Sequence, residues 1–292
     1  MKKILITGAS GHLGREVMTR LLGKTEASNL AVMVRDASKV EDLKAKGVEI
    51  RIGDYNDYPS LVKAFRGIDK MYFISASDVE KRTIQQENIV KAAKEAGVPH
   101  VIYTSFQRKN ETATSPIAMV AEAHIKTEKW LKEAGMKYTI LKHNIYADML
   151  PMFLGDKVLE TGIAYFPAGD AKVAFTTRSD MAEVATVILT TEGHENKIYD
   201  VTNDTTVNFN EIAFYISQFT GKPIKYVSPA REEYIQTLSK AGVPKVYADM
   251  YAGFAEAFRQ QEFDQTNHFI ETLTGKKPVS VAQFLMEVYA AK

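Results

Sequence analysis

Ile4-Leu5-Ile6-Thr7-Gly8-Ala9-Ser10-Gly11-His12-Leu13-Gly14 decides the fold. The short apolar run reads as a buried strand, and Leu13–Leu22 after it carries helical periodicity. Between the two, glycines stand where a strand-to-helix turn around a phosphate needs them. Gly8 permits the tight turn, Gly11 lets the backbone approach a pyrophosphate, and Gly14 lets helix and strand pack closely. The N–H groups from Ser10 through Gly11, His12, Leu13 and Gly14 open the helix and suit an anion. The stretch predicts a Rossmann strand–turn–helix that binds a dinucleotide.

Working outward, candidate strands lie at Lys3–Thr7, Leu30–Val34, Val48–Ile52, Lys70–Ile74, His100–Thr104 and Tyr138–Lys142. Helical patterns separate them, including Pro59–Phe65, Thr83–Ala96 and Pro116–Glu133. Nearly continuous apolar strands alternating with helices predict a parallel sheet covered on both faces. Gly-Val and Gly-Met steps at 47–48, 97–98 and 135–136 fit helix ends leading into strands. Past residue 145 the rhythm changes. Gly, Pro and aromatic residues cluster from Pro151 to Phe175, and Lys197–Thr202 reads as a strand. Asn208 and Glu211 form a capping box for a helix to Thr220, and Ile224–Val227 is strand-like. The expected fold class is α/β. A Rossmann doubly wound parallel sheet occupies 1–145, and a smaller C-terminal α/β lobe over 146–292 lends elements back to it.

Bulk composition narrows the chemistry. The chain has 292 residues, long enough to bury a sizeable core without disulfide or metal. It contains no cysteine, which removes disulfides, thiolate catalysis and Cys-ligated metal. The six histidines (12, 100, 124, 143, 194 and 268) show no pair at metal-ligand spacing, so no metal is expected. With 37 basic against 36 acidic residues there is no electrostatic case for nucleic acid or an anionic membrane. No apolar run reaches the length of a signal or spanning segment, so the expected compartment is the cytoplasm. The expected partner is a small molecule, the chain acting as monomer or homodimer.

Cofactor choice falls at the end of the second strand. An acid there accepts from the ribose of NAD, whereas arginine suits the 2′-phosphate of NADP. Val34 is followed by Arg35 and then Asp36, which predicts NADP(H) over NAD(H). Asp54 and Tyr55 close the third strand, where an aspartate can meet adenine and its neighbour can flank the ring. Ser75, Ala76 and Ser77 close the fourth, beside the expected ribose and nicotinamide, and Thr104 and Ser105 close the fifth. All sit at carboxyl ends of strands, where ligands of open α/β sheets bind.

Taken with Val32–Asp36, Ala123–Lys129 and Thr176–Asp180, these stretches resemble the NmrA-like group of atypical short-chain dehydrogenases/reductases. The likeness runs nearly the whole chain and is strongest toward the quinone- and triphenylmethane-reducing members. It implies an NADPH-dependent reductase acting on quinones or similar planar, electron-poor acceptors. The group also includes NADP(H)-binding redox sensors that do not turn over, and these are the alternative reading.

The usual Tyr-x-x-x-Lys of short-chain dehydrogenases occurs only at Tyr138 and Lys142. There it falls in a strand, where four residues span about 13 Å. The helix that ordinarily carries the pair has His124 and Glu128 instead, at i and i+4 on one face. The quinone-reducing relatives imply the same two residues, so His124 and Glu128 are the catalytic candidates, Glu128 orienting the imidazole. Relatives read Leu-Arg-Asn after the sixth strand, whereas this chain has Leu141-Lys142-His143, placing His143 in the nicotinamide-seating position. Phe106, Tyr146, Gly169, Tyr251 and Phe254 are expected around the acceptor, between the lobes.

Overall fold

In the computed structural model, the described residues are all those of the chain except Met1, Ser77, Asp156, Ala291 and Lys292. The strands are β1 (Ile4–Thr7), β2 (Leu30–Val34), β3 (Glu49–Ile52), β4 (Lys70–Phe73), β5 (His100–Phe106), β6 (Lys137–His143), β7 (Ile163–Tyr165), β8 (Lys197–Val201) and β9 (Lys225–Val227). Five helices separate the first six strands: α1 (His12–Leu22), α2 (Glu41–Ala45), α3 (Tyr58–Phe65), α4 (Arg82–Glu95) and α5 (Ala118–Glu133). Then come α6 (Leu150–Leu154), α7 (Val158–Thr161), α8 (Arg178–Thr190), α9 (Phe209–Thr220), α10 (Arg231–Lys240), α11 (Lys245–Arg259), α12 (Phe269–Thr274) and α13 (Val281–Tyr289).

The chain divides into two units that interleave in sequence. The first comprises Met1–Phe106, Met119–His143 and Arg178–Asp200; the second comprises Gln107–Ala118, Asn144–Thr177 and Val201–Lys292. A seven-stranded sheet runs in the order β3-β2-β1-β4-β5-β6-β8. Its first six strands are parallel, Ile4 lying opposite both Leu30 and Lys70. This is the doubly wound Rossmann order, with β8 added beyond β6.

Alternation along the strands supplies both faces of the sheet. Leu5, Met33, Met71 and Phe73 pack with α3 and α4 residues such as Phe65 and Ile89. α1 lies against α8, joined by Arg20, whose guanidinium meets Glu183 at 3.0 Å and Ser179 at 2.8 Å. Lys70 in β4 is only 4% exposed, and its ammonium donates to the Leu189 and Thr191 carbonyls at the end of α8. A cation at a helix C-terminus satisfies carbonyls that have no intrahelical donor. Gly47, Gly97 and Gly135, each at positive φ, end helices before β3, β5 and β6.

In the second unit β7 and β9 form a parallel pair. Its core is aromatic: Phe153, Phe166, Phe175, Phe209, Phe258 and Phe263 are all fully buried and pack ring to ring. The capping box at Asn208 and Glu211 is present, with Gly221 at φ 69° ending the same helix. Among the described residues no helix is long and apolar enough to cross a membrane.

Candidate active site

The glycine turn is built so that side chains are excluded. A Cβ on Gly14 would lie 2.4 Å from the Gly8 carbonyl and 2.8 Å from Ala9 Cα, both backbone atoms that cannot yield. Gly8 sits at φ 64°, in the left-handed region glycine favours. Gly11 is the N-cap of α1; no side chain caps the helix there, and no acid occupies its first turn. That leaves backbone N–H groups and the positive end of a helix facing the carboxyl edge of β1, which suits dinucleotide phosphates. Arg15, next along α1, is held by both Asp42 oxygens and the Lys39 carbonyl.

Around this turn the ends of the neighbouring strands are tied together. Arg35 is exposed after β2, and its charge acts on Tyr55 after β3. Burial pushes the Tyr55 hydroxyl up to about 12, while Thr7 and Arg35 pull the other way. Tyr55 donates to the Ile74 carbonyl at 3.4 Å. Asp36 is engaged locally: its carboxylate accepts from Ser38 N–H and Ser38 Oγ, which holds its carboxyl below the usual carboxylate range. Through Oδ1, Asp36 thus caps the turn at Ala37–Val40. Asp54 Oδ1 accepts from Asn56 N–H at 2.8 Å, fixing the turn after β3. Thr104 Oγ1 accepts from Ser75 N–H at 2.9 Å, and Thr7 Oγ1 from Ile74 N–H at 3.0 Å. These two hydroxyls hold the segment carrying Ser75 and Ala76; Ser77 lies outside the described residues.

Toward β5 and β6 the polar groups are buried. His124 (5% exposed) comes from α5, and its Nδ1 lies 2.7 Å from the Tyr103 hydroxyl of β5. Tyr103 also reaches Gln86 Oε1 of α4 at 2.5 Å. Glu128 receives a short hydrogen bond from Ser105 and lies 3.9 Å from Lys142 Nζ. The sequence assigned orientation of the imidazole to Glu128; the structure places Tyr103 at Nδ1 and joins Glu128 to Ser105 and Lys142. Ser105, beside Thr104, follows from the carboxyl end of β5 as the sequence has it, whereas Tyr103 does not, because an unbroken apolar strand gives no cue to which polar atoms meet a helix. Lys142 lies in β6 with Tyr138, as the strand reading requires. Phe106 stacks on His124, centroids 5.7 Å apart and planes at 29°. His143 is buried at the end of β6, and burial pushes its imidazole down to about 3, so it is neutral at physiological pH.

The remaining acceptor candidates belong to the second unit. Tyr146 pairs through its backbone with Thr176, and Gly169, at φ 58°, donates its N–H to Ser228 Oγ. Tyr251 and Phe254 on α11 both pack against Phe153. Phe254 is 5% exposed within that aromatic core. Asp204, His268 and Glu271 bring possible metal-ligating atoms within 4.8 Å of one another. Histidine spacing did not disclose this group, since Asp204 lies far from the other two in sequence.

The NmrA-like family profile matches residues 1–285. Quinone oxidoreductase 2 of Escherichia coli is 35% identical over 249 residues, covering 85% of each chain. The structure of an NADPH-dependent quinone oxidoreductase from Escherichia coli, complexed with NADPH, superposes with TM-score 0.90 at 31% identity, over 98% of this chain and 99% of that one. That of the Citrobacter sp. triphenylmethane reductase complexed with NADP(H) gives 0.89 at 33% identity, over 98% and 100%. A doubly wound sheet with an uncapped, glycine-lined first helix, matched end to end at this identity, makes the chain a member of the NmrA-like family.

Proposed function

We propose that this protein is an NADPH-dependent reductase that passes hydride to a quinone or a similarly planar, electron-poor acceptor. The observation that carries the reading is the side-chain-free turn from Gly8 to Gly14 with Arg35 and Tyr55 beside it, in a chain whose relatives are named as reductases. NADPH, when bound, supplies the hydride; the residues here bind, orient and manage a proton. The glycine turn and α1 hold the pyrophosphate, and Arg35 meets the 2′-phosphate. Asp54 and Tyr55 take the adenine side, while Ser10, His12 and Leu13 line the turn. Ser75, Ala76, Thr104 and His143 seat the ribose and nicotinamide end. Phe106, stacked on buried His124 and itself only partly buried, offers a ring face suited to a planar acceptor. His124 is the proton donor, with Glu128 one turn along α5, itself met by Ser105 of β5 and Lys142 of β6. Tyr146, Gly169 and Tyr251 are assigned to acceptor recognition.

Quinones reduce to stabilised anions, which lowers the demand for a strong acid, whereas an aliphatic ketone leaves an alkoxide that needs one. The test is loss of NADPH absorbance with a panel of quinones and a small aliphatic ketone. Turnover of quinones without the ketone is expected. NADPH that binds tightly yet is never consumed would instead mark a redox sensor.

A further inference from the structure

Tyr103 is fully buried in β5 between polar groups from two helices. Its hydroxyl lies 2.5 Å from Gln86 Oε1 and 2.7 Å from His124 Nδ1. A phenol carries one hydrogen and can also accept through oxygen. A separation of 2.5 Å suits O–H···O, whereas N–H···O contacts centre near about 2.9 Å. The single hydrogen therefore goes to the Gln86 carbonyl. The second contact must take its hydrogen from the imidazole, at Nδ1.

We propose that Gln86 and Tyr103 are positioning residues that lock neutral His124 in the Nδ1–H tautomer and reserve Nε2 as the nitrogen that gains and loses a proton. The lock deepens the reductase reading and rests on it for its catalytic meaning. In that reading, after hydride transfer, the Nε2–H bond of the imidazolium breaks as an O–H bond forms on the reduced acceptor. The ring is left neutral with its hydrogen on Nδ1, still held by Tyr103, and Nε2 takes a new proton from water. No rotation or tautomer exchange is needed between turnovers. Arg82 of α4 carries a charge that acts on Tyr103, and Glu128, one turn from His124 on α5, pairs with Lys142 of β6.

Imidazole in water favours the opposite, Nε2–H tautomer, so the lock is measurable without cofactor. Nitrogen-15 NMR of histidine-labelled protein, at a pH where His124 is neutral, is expected to show Nδ1–H. Tyr103→Phe removes the acceptor and is expected to shift the ring toward Nε2–H. Gln86→Leu takes away the carbonyl that holds the phenol hydrogen, so Tyr103 should turn its O–H to Nδ1 and fix the Nε2–H form. Gln86→Leu also deletes an amide nitrogen buried without a protein acceptor, so it is expected to fold at least as well. A neutral Nε2–H ring in the unaltered chain, or Nδ1–H persisting in both variants, overturns the lock.

With a quinone as acceptor, Tyr103→Phe should lower kcat at least about tenfold at unchanged NADPH Kd. An unchanged kcat in a variant whose tautomer has moved overturns the positioning role. An unaltered chain that holds Nδ1–H but consumes no NADPH with any quinone sinks the reductase reading and leaves the lock standing.

Discussion

Arg35 and Asp36 are neighbours with opposite assignments. Asp36 is bound into its own turn through Ser38, while Arg35 stands exposed beside Tyr55. Charge-assisted hydrogen bonds from Arg35 to a 2′-phosphate should favour NADPH over NADH by roughly ten- to a hundredfold. Arg35→Ala is expected to erase most of that preference and leave NADH affinity nearly unchanged, as measured by calorimetric titration. Equal affinities in the unaltered protein would remove Arg35 from the role. His124→Ala should lower kcat with quinone about a hundredfold while NADPH affinity holds. A variant that melts lower but turns over within a few-fold would make His124 a core residue only. The exposed position of Arg35 was legible because it follows directly from its place after a strand. The contacts of His124 were not, because they come from β5 and α4, elements that only folding brings together.

Elements built from buried strands were the easiest to read. β2 runs over Leu30–Val34 as expected, and the other five parallel strands agree within two residues at each end; the interior strands keep a largely apolar run because helices cover both faces, while edge strand β3 alternates Ile50 and Ile52 with charged residues. α5 begins at Ala118 rather than at Pro116, after a turn closed by Ala118 N–H on the Ser115 carbonyl. The position of β8 at the sheet edge was not legible, since four of its five residues keep some exposure and nothing in them fixes a register. The β1–α1 junction gives a test at this scale. Gly14→Ala would set a Cβ against unyielding backbone, so α1 must lift from β1, at a cost on the order of 1–3 kcal/mol. Melting temperature should fall by several degrees, and NADPH binding should be lost. At Gly11 the added Cβ would only touch the Gly8 carbonyl, at 3.4 Å. Gly11→Ala is therefore expected to melt normally and bind NADPH more weakly. A Gly14→Ala protein with unaltered melting and affinity would contradict the close-packing argument.

Across the whole molecule, acid stability turns on histidines buried without charge. Burial lowers His143 from 6.5 to about 3 and His100 to about 4, with Lys70 adding to the effect at His100. Between the unfolded and folded values the unfolded chain binds more protons, so the stabilisation is complete above about pH 6.5 and is lost as pH falls toward those folded values. For His143 the slope is about 1.4 kcal/mol per pH unit. Urea midpoints should drop from pH 7 to pH 5, and His143→Asn should flatten part of that drop; a pH-independent midpoint would contradict it. The same first unit is completed by Arg178–Asp200, which returns after a long excursion to cover α1 and to receive the Lys70 ammonium. A nascent chain leaving the ribosome therefore holds an unfinished sheet, with α1 uncovered and Lys70 lacking its carbonyls, until residue 200 has emerged. Chaperones that bind exposed apolar helices have that whole interval of synthesis in which to act, and synonymous codons that slow translation before Arg178 would lengthen it.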